Sequence, residues 1–438
     1  MRLAKLEVRQ LFGMYDHSLD FPAANEGDPK PTILILYGDN GIGKTTILRM
    51  IKGALELDFS VYRAVPFEIA KLTFSDESAL QVEPIWKGKK LTGLRVKFEE
   101  HNVELHPRHA GARTDADQPK VEAFRQAFHA KTESLTFQFI DTRRLLSLYE
   151  AERSGPASTT IRHMPDGTIV RVHPDDFAMG TAIEPSSPKA IRQSHPAPLA
   201  DSVLRFVAQA QVNYREFFAT TQPDLFERVL LNLTESKSES YTVPELKARL
   251  AHIGRQDTEA RRLGLAPDID VARLLPLLKK SKASSGYEHF LTTLGAYVDM
   301  LESRSNEREF LSKRLSTFER LMNEFLSGKT LSIDARSGLR ILDSTGRALS
   351  ETQLSSGEYH LLYLMVSALV VRRRGTVMAI DEPEMSMHIK WQRKLVKALC
   401  ECAAGAEPQF LFATHSPDIA AEFAENMVGL GPSEPSRE

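Results

Sequence analysis

Gly38-Asp39-Asn40-Gly41-Ile42-Gly43-Lys44-Thr45-Thr46 follows an unbroken apolar run, Ile33–Tyr37, and leads straight into ILRMIKGALEL (47–57). The run reads as a strand buried on both faces, the kind found in parallel sheets, and the segment after it reads as a helix. Strand, glycine-rich turn and helix in that order are what phosphate binding requires. Glycines let the main chain curl so that its N–H groups point inward, and the dipole of the next helix faces the same spot. The spacing fits G-x-x-x-x-G-K-[ST], which makes Asn40, Gly41, Gly43, Lys44, Thr45 and Thr46 candidate nucleotide-binding residues. Lys44 is placed for the β- and γ-phosphates of ATP or GTP, and the Thr45 hydroxyl for Mg²⁺.

Three further segments acquire meaning from that loop. Val377-Met378-Ala379-Ile380-Asp381-Glu382 is an apolar strand ending in two carboxylates. Strands often end in acidic loops, but downstream of a phosphate loop Asp381 becomes a candidate Mg²⁺ ligand and Glu382 a candidate general base for the attacking water. Leu354-Ser355-Ser356-Gly357-Glu358 precedes a helix expected from Tyr359, so Ser355, Gly357 and nearby amides form a second anion-binding helix terminus. Two helix N-termini so far apart in sequence do not easily converge on one phosphate within one chain. The economical solution is that this helix caps the nucleotide held by another copy. His415, in Phe412-Ala413-Thr414-His415-Ser416, ends another apolar strand and is placed to hydrogen-bond the γ-phosphate or the water. Lys44, Glu382 and His415 are the candidate catalytic residues.

In this order the four segments resemble the ABC ATPase set of Walker A, signature, Walker B and switch histidine. More narrowly, GDNGIGKTT, LSSGEYHLL, IDEPEMSMHIKWQ and ATHSPDI are similar to the RecF/SMC-like branch of AAA-type ATP-binding proteins. That branch includes the overcoming-lysogenisation-defect family and the ATPase subunits of Septu, retron and PARIS anti-phage systems. The resemblance covers residues 1–60 and 330–425 well and extends weakly to Phe139–Leu145. It implies ATP and Mg²⁺ as cofactors, Ser355 and Gly357 acting in trans, and a homodimer or higher homo-oligomer joined by an ATP sandwich. Glu384–His388 stands where transporter ATPases carry an Asp-bearing interface loop, and its Glu-Met-Ser-Met-His form disfavours a transport role. The glutamine that senses Mg²⁺ in ABC proteins has no clear counterpart, with Gln138 inside a strand and Asp141 or Thr142 in the expected loop. Tyr15 is a positional candidate for adenine contact or an ordinary packed aromatic.

Around these motifs the fold class is α/β, an ABC-type P-loop head built from both chain ends with an inserted, mainly helical subdomain. Residues 1–145 form the first part of the head, 146–329 a loop, hairpin and helical insertion, 330–430 the second part, and 431–438 a tail. Leu6 and Val8 alternating with charged neighbours predict a strand, Leu19 and Phe21 a second, and residues 22–31 a polar loop. LTFQFI (135–140) predicts another strand, ended by Asp141-Thr142-Arg143-Arg144. Residues 151–200 are rich in Pro, Ser and Thr, with a hairpin signal at Pro165-Asp166-Gly167. Leu311, Leu315, Phe318, Met322 and Phe325 share one helix face. Breaks at Leu263-Gly264 and Pro276 favour a packed helical subdomain over a projecting coiled coil, and the lack of a Cys-x-x-Cys excludes a zinc-linked hook. LSIDA, GLRIL and ALSET form a small antiparallel set.

Composition sets the remaining bounds. A net charge of −2 is neutral on nucleic acid and leaves DNA open as a partner. The clusters at Lys87–Lys90, Arg143–Arg144, Lys279–Lys282 and Arg372–Arg374 read first as solvated patches. No stretch is apolar enough for a membrane span, no signal-peptide core opens the chain, and Cys400 and Cys402 read as reduced helix residues, so a cytoplasmic location is expected. Only about twenty residues follow ATHSPDI, too few for a nuclease module. The expected function is an ATP-binding and hydrolysing ATPase whose assembly senses infection and controls a separate effector, a nuclease or toxin, in prokaryotic anti-phage defence. A DNA-repair ATPase clamping DNA is the alternative.

Overall fold

A computed structural model describes residues 1–22, 31–88, 90–106, 118–153, 160–163, 169–172, 199–209, 241–263, 265, 274–276, 278, 287–334, 338–371, 375–420 and 422–431. The 22–31 loop (beyond residue 22 and up to 30), the Pro165-Asp166-Gly167 turn, Lys279–Lys282, Arg372–Arg374 and the 432–438 tail lie outside the described residues. The chain forms two compact units. One comprises residues 1–192, 354–364 and 371–438, and the other 193–353 with 365–370.

The first unit is built on two sheets. Segments that largely alternate apolar and polar residues form an antiparallel sheet from β1 (Leu3–Leu11), β2 (Tyr15–Asp20), β4 (Ile69–Phe74), β5 (Ala79–Lys87), β6 (Lys90–Phe98) and β7 (His101–Leu105), in the order β2-β1-β4-β5-β6-β7. Unbroken apolar runs form a parallel sheet from β3 (Thr32–Tyr37), β8 (Thr136–Asp141), β14 (Thr376–Asp381), β15 (Gln409–Thr414) and β16 (Met427–Gly429), in the order β16-β3-β15-β14-β8. All six residues of β14 and of β15 are buried, as expected of strands covered on both faces. Their odd-numbered side chains, Val377, Ala379, Leu411 and Ala413, share a core with Ile47, Leu48, Met50 and Ile51 of helix α1 (Lys44–Leu55) and with the inner face of the antiparallel sheet. The chain ends are tied together there, because the Gln409 amide accepts from the Leu3 N–H and donates to the Leu3 carbonyl, each at 2.9 Å. The short helix α2 (Ser60–Ala64), helix α3 (Gln118–Thr132), helix α4 (Thr142–Arg153) and a two-stranded hairpin of β9 (Thr160–His163) and β10 (Ile169–Val172) complete this part of the sequence.

In the second unit, helix α5 (Val243–Arg262) packs Leu246, Leu250 and Ile253 against Leu294, Val298 and Leu301 of the 39-residue helix α6 (Tyr287–Phe325). Leu315, Phe318, Met322 and Phe325 are buried as the helical spacing predicts, with Leu311 half-buried. Strands β11 (Lys329–Asp334), β12 (Gly338–Asp343) and β13 (Ala348–Leu349) form the expected antiparallel set. Asn323 near the end of α6 bonds both the N–H and the carbonyl of Leu331, at 2.7 and 2.9 Å, which fastens β11 to the helix. Residues 330–353 group with these helices in the second unit.

Helix α7 (Ser356–Leu369) begins three residues earlier than Tyr359, the start expected from sequence. Helices α8 (Ile389–Cys402) and α9 (Pro417–Ala420) follow, and both cysteines are free thiols on the last turn of α8.

Candidate nucleotide site

Four neighbouring parallel strands end in register. Asp381 lies opposite both Asp141 and Ala413, and Thr414 lies opposite Tyr37. The residues that follow are therefore delivered to one edge of the sheet: Gly38 after β3, His415 after β15, Glu382 after β14 and Arg143 just after β8. An α/β sheet presents its ligand cleft at this carboxyl edge.

The phosphate loop wraps the end of β3. Gly43 caps α1 in the left-handed conformation, φ 100°, with no side-chain cap, which leaves the first amides of the helix available to an anion. A Cβ at Gly43 would stand 2.7 Å from Leu11 Cδ2 and 3.1 Å from Phe12 Cε2, so the close approach of β1 and the φ both require glycine. His17, stacked on Tyr15 and buried, bonds the Ile42 carbonyl through Nε2 at 3.2 Å and braces the loop from β2.

A cleft of about 480 Å³ opens over the loop. Asn40, Gly41, Gly43, Lys44, Thr45 and Thr46 line it on one side, and Asp381, Glu382 and His415 on the other. The Lys44 ammonium donates to the carbonyls of Gly38 and Asp39, at 2.6 and 2.9 Å, and meets His415 Nδ1 at 3.0 Å. Burial lowers the Lys44 pKa from its ordinary value, opposed by Asp381, Glu384, Glu382 and Asp39. Asp381 is pushed up to about 6, first by burial, with Glu382 and Asp141 adding and the Thr45 hydroxyl bond and Arg49 opposing. A hydroxyl bonded to a carboxylate, with a second carboxylate beside it, is a donor set suited to a hard divalent cation. Among the described residues no three His, Cys, Asp or Glu side chains are grouped to cage a metal.

Glu382 sits at φ +54°, an uncommon conformation for a side chain this size, and its N–H donates to the Ala413 carbonyl at 2.8 Å. Glu384, which the sequence offered only as part of an unusual loop, has a definite place. Its Oε1 accepts from the N–H groups of His415 and Ser416, at 2.8 and 3.2 Å, and fixes the turn that carries His415. Phe12, not Tyr15, lines the cleft, while Tyr15 stacks on His17. β8 runs into α4 without the expected loop: Asp141 lines the cleft and is held by Arg49 at 3.1 Å, whereas Thr142 is buried and bonds His360 Nε2 at 3.2 Å.

Ser355 and Gly357 do not line the cleft. Ser355 caps α7 in a reciprocal box with Glu358: the carboxylate accepts from the Ser355 N–H and hydroxyl, each at 2.8 Å, and Ser355 Oγ accepts from the Glu358 N–H at 3.3 Å. Gly357 is demanded locally, since a Cβ would lie 2.4 Å from the Ser386 carbonyl oxygen. The signature turn is thus packed on the Glu384–His388 loop.

Residues 191–421, more than half of the chain, match the family described as "AAA domain, putative AbiEii toxin, Type IV TA system". The chain belongs to this AAA family. The matched residues include the signature, Asp381-Glu382 and His415, and begin after the phosphate loop. With that loop and the five-stranded parallel core, this AAA protein has an α/β fold of the P-loop kind. No curated protein matches the sequence. Among solved structures it is similar to an Smc head domain with an extended coiled coil bound to the C-terminal domain of ScpA from Pyrococcus furiosus. Identity is 11% and the TM-score 0.37, over 98% of this chain and 93% of that one. An Smc head domain with a coiled coil and joint from Pyrococcus yayanosii gives 12% and 0.36, over 98% and 94%. Likenesses this distant carry no argument about the activity of this AAA protein. No described helix is long and apolar enough to cross a membrane.

Proposed function

We propose that this AAA protein binds ATP with Mg²⁺, hydrolyses it slowly in an assembly of two or more copies, and uses that assembly to control a separate effector in anti-phage defence. The observation that supports it best is the division of the motifs. Lys44, Thr45, Asp381, Glu382 and His415 line one cleft, while Ser355 and Gly357 face elsewhere. A complete site then takes its signature turn from a second copy.

In this mechanism the loop amides and α1 hold the phosphates, and Lys44 reaches the β- and γ-phosphates. Thr45 and Asp381 hold Mg²⁺, which supplies neutralisation of phosphate charge. Glu382 takes the proton from the water as its oxygen attacks the γ-phosphorus and the bond to the β-phosphate oxygen breaks. His415 donates to the γ-phosphate, and its turn is held for that task by Glu384. The family description, with its toxin and type IV toxin–antitoxin system, supports an effector-linked role over solitary DNA repair.

Glu382→Gln should bind ATP and accumulate as a larger species in size-exclusion chromatography, with Lys44→Ala as the non-binding control. An unchanged elution volume with ATP bound would refute the shared site. ATPase activity strongly stimulated by duplex DNA, in the absence of any protein partner, would favour the repair reading instead.

A further inference from the structure

We propose that Arg143 is a positioning residue for this hydrolysis, holding the Glu382 carboxylate in the orientation from which it acts on water. The proposal rests on the ATPase reading above and names a residue that the motifs do not contain. Arg143 Nε donates to Glu382 Oε2 at 2.7 Å and Nη2 to Oε1 at 2.5 Å, a two-point fork that fixes the carboxylate plane as well as its place. The main chain of Glu382 is already set by its left-handed φ and its bond to Ala413, but three side-chain torsions remain beyond it. The fork fixes what the main chain leaves free. The same guanidinium lies in the field of Asp381 and Asp141 as well as of Glu382.

An arginine with 70% of its side chain exposed gains little stability from such a pair. Its value lies in placement, and the helix that carries it is held at its first residue and again two turns on. Thr142, the residue before it, is buried and bonded to His360. Tyr149, six residues on, donates to the Leu354 carbonyl at 2.6 Å and stacks on Tyr359 with ring centroids 3.9 Å apart. The guanidinium therefore reaches the cleft from a fixed base, and the same helix touches the signature turn.

The test compares Arg143→Ala, Arg143→Lys, Glu382→Ala and the double variant Arg143→Ala/Glu382→Ala in the full chain. Single-turnover and steady-state ATPase rates are measured beside titrations with a fluorescent ATP analogue. Arg143→Ala should lose roughly 10- to 100-fold in kcat, the scale of a misplaced reacting group, with analogue affinity within about twofold. Arg143→Lys should recover part of the rate, and Arg143→Ala should change nothing further in the Glu382→Ala background. Circular dichroism should be the same for all variants, since the arginine is exposed. Affinity lost about tenfold with kcat intact would place the arginine on phosphate instead. A raised kcat would make the fork a restraint on Glu382, and independent, multiplicative losses would sever it from Glu382. Each of these overturns the proposal. A wild-type chain that turns over ATP with Arg143→Ala at the same rate overturns it alone, whereas a wild-type chain with no turnover overturns the ATPase reading and this one together.

Discussion

His360 offers a quantitative test of how the head is wired. It is fully buried on α7, bonded through Nδ1 to the Met385 carbonyl at 2.9 Å and through Nε2 to the Thr142 hydroxyl. Burial, only partly opposed by the Met385 bond, pulls its pKa down to about 4 from 6.5. The unfolded chain therefore takes up this proton at a higher pH than the folded one, and stability rises with pH between those values. It is fully present above about 7, falls as pH drops through 6.5, and the loss is complete near 4. At about 1.4 kcal/mol per pKa unit the whole effect is about 3 kcal/mol, of which about 2 kcal/mol is lost by pH 5. Both tryptophans, Trp86 and Trp391, lie in the first unit, so urea unfolding followed by tryptophan fluorescence reports on the right part of the chain. His360→Gln keeps a polar group at the site and cannot titrate there. The stability gap between wild type and His360→Gln should shrink by about 2 kcal/mol from pH 7.5 to pH 5, while other titrating groups cancel in the difference. If the two proteins lose stability in parallel over that range, His360 is not held neutral by the fold and the reasoning fails.

Two further changes address the loop and the strut. Gly43→Ala forces a side chain into φ 100° beside Leu11 and Phe12 and should cost about 1–3 kcal/mol while abolishing ATP binding; nucleotide titration at full affinity would contradict the glycine requirement. Tyr149→Phe removes the 2.6 Å bond to Leu354 but keeps the stack on Tyr359, for a loss of about 1 kcal/mol. ATP-dependent assembly should then need more protein, which sedimentation at a series of concentrations would show; an unchanged profile would remove Tyr149 from the support of the signature turn.

The parallel core was legible because each of its main strands advertises itself twice, by an unbroken apolar run and by the motif at its end. Ile33–Tyr37 leads to the glycines, Val377–Ile380 to two carboxylates, and Phe410–Thr414 to His415. The antiparallel sheet was read only at its first two strands. Ala70, Leu72 and Phe74, then Leu80 and Val82, then Leu94, Val96 and Phe98 alternate inward as plainly as Leu6 and Val8 do, and they are buried accordingly. They carry no chemistry, and a search led by motifs passes over them. The start of α7 was misplaced because Ser355 and Gly357 were weighed as phosphate ligands, although S-x-x-E is equally a capping box. Arg143 and Glu384 could not be identified from composition. The place of Arg143 arises from register, which sets Asp141, two residues before it, opposite Asp381, one residue before Glu382, and register between strands some 240 residues apart leaves no local trace.

That pairing has a bearing on synthesis. β3 carries the phosphate loop, yet its neighbours β15 and β16 lie more than 370 residues downstream, with Ile33 opposite Phe410 and Ile35 opposite Met427. On the ribosome the loop emerges early and waits, with the edges of its strand unpaired, until nearly all of the chain has followed. Closing such distant pairs is slow, and the strand edges stay open meanwhile. A polypeptide interrupted before β15 carries the Walker sequence without the strand that flanks it or the His415 turn that faces Lys44.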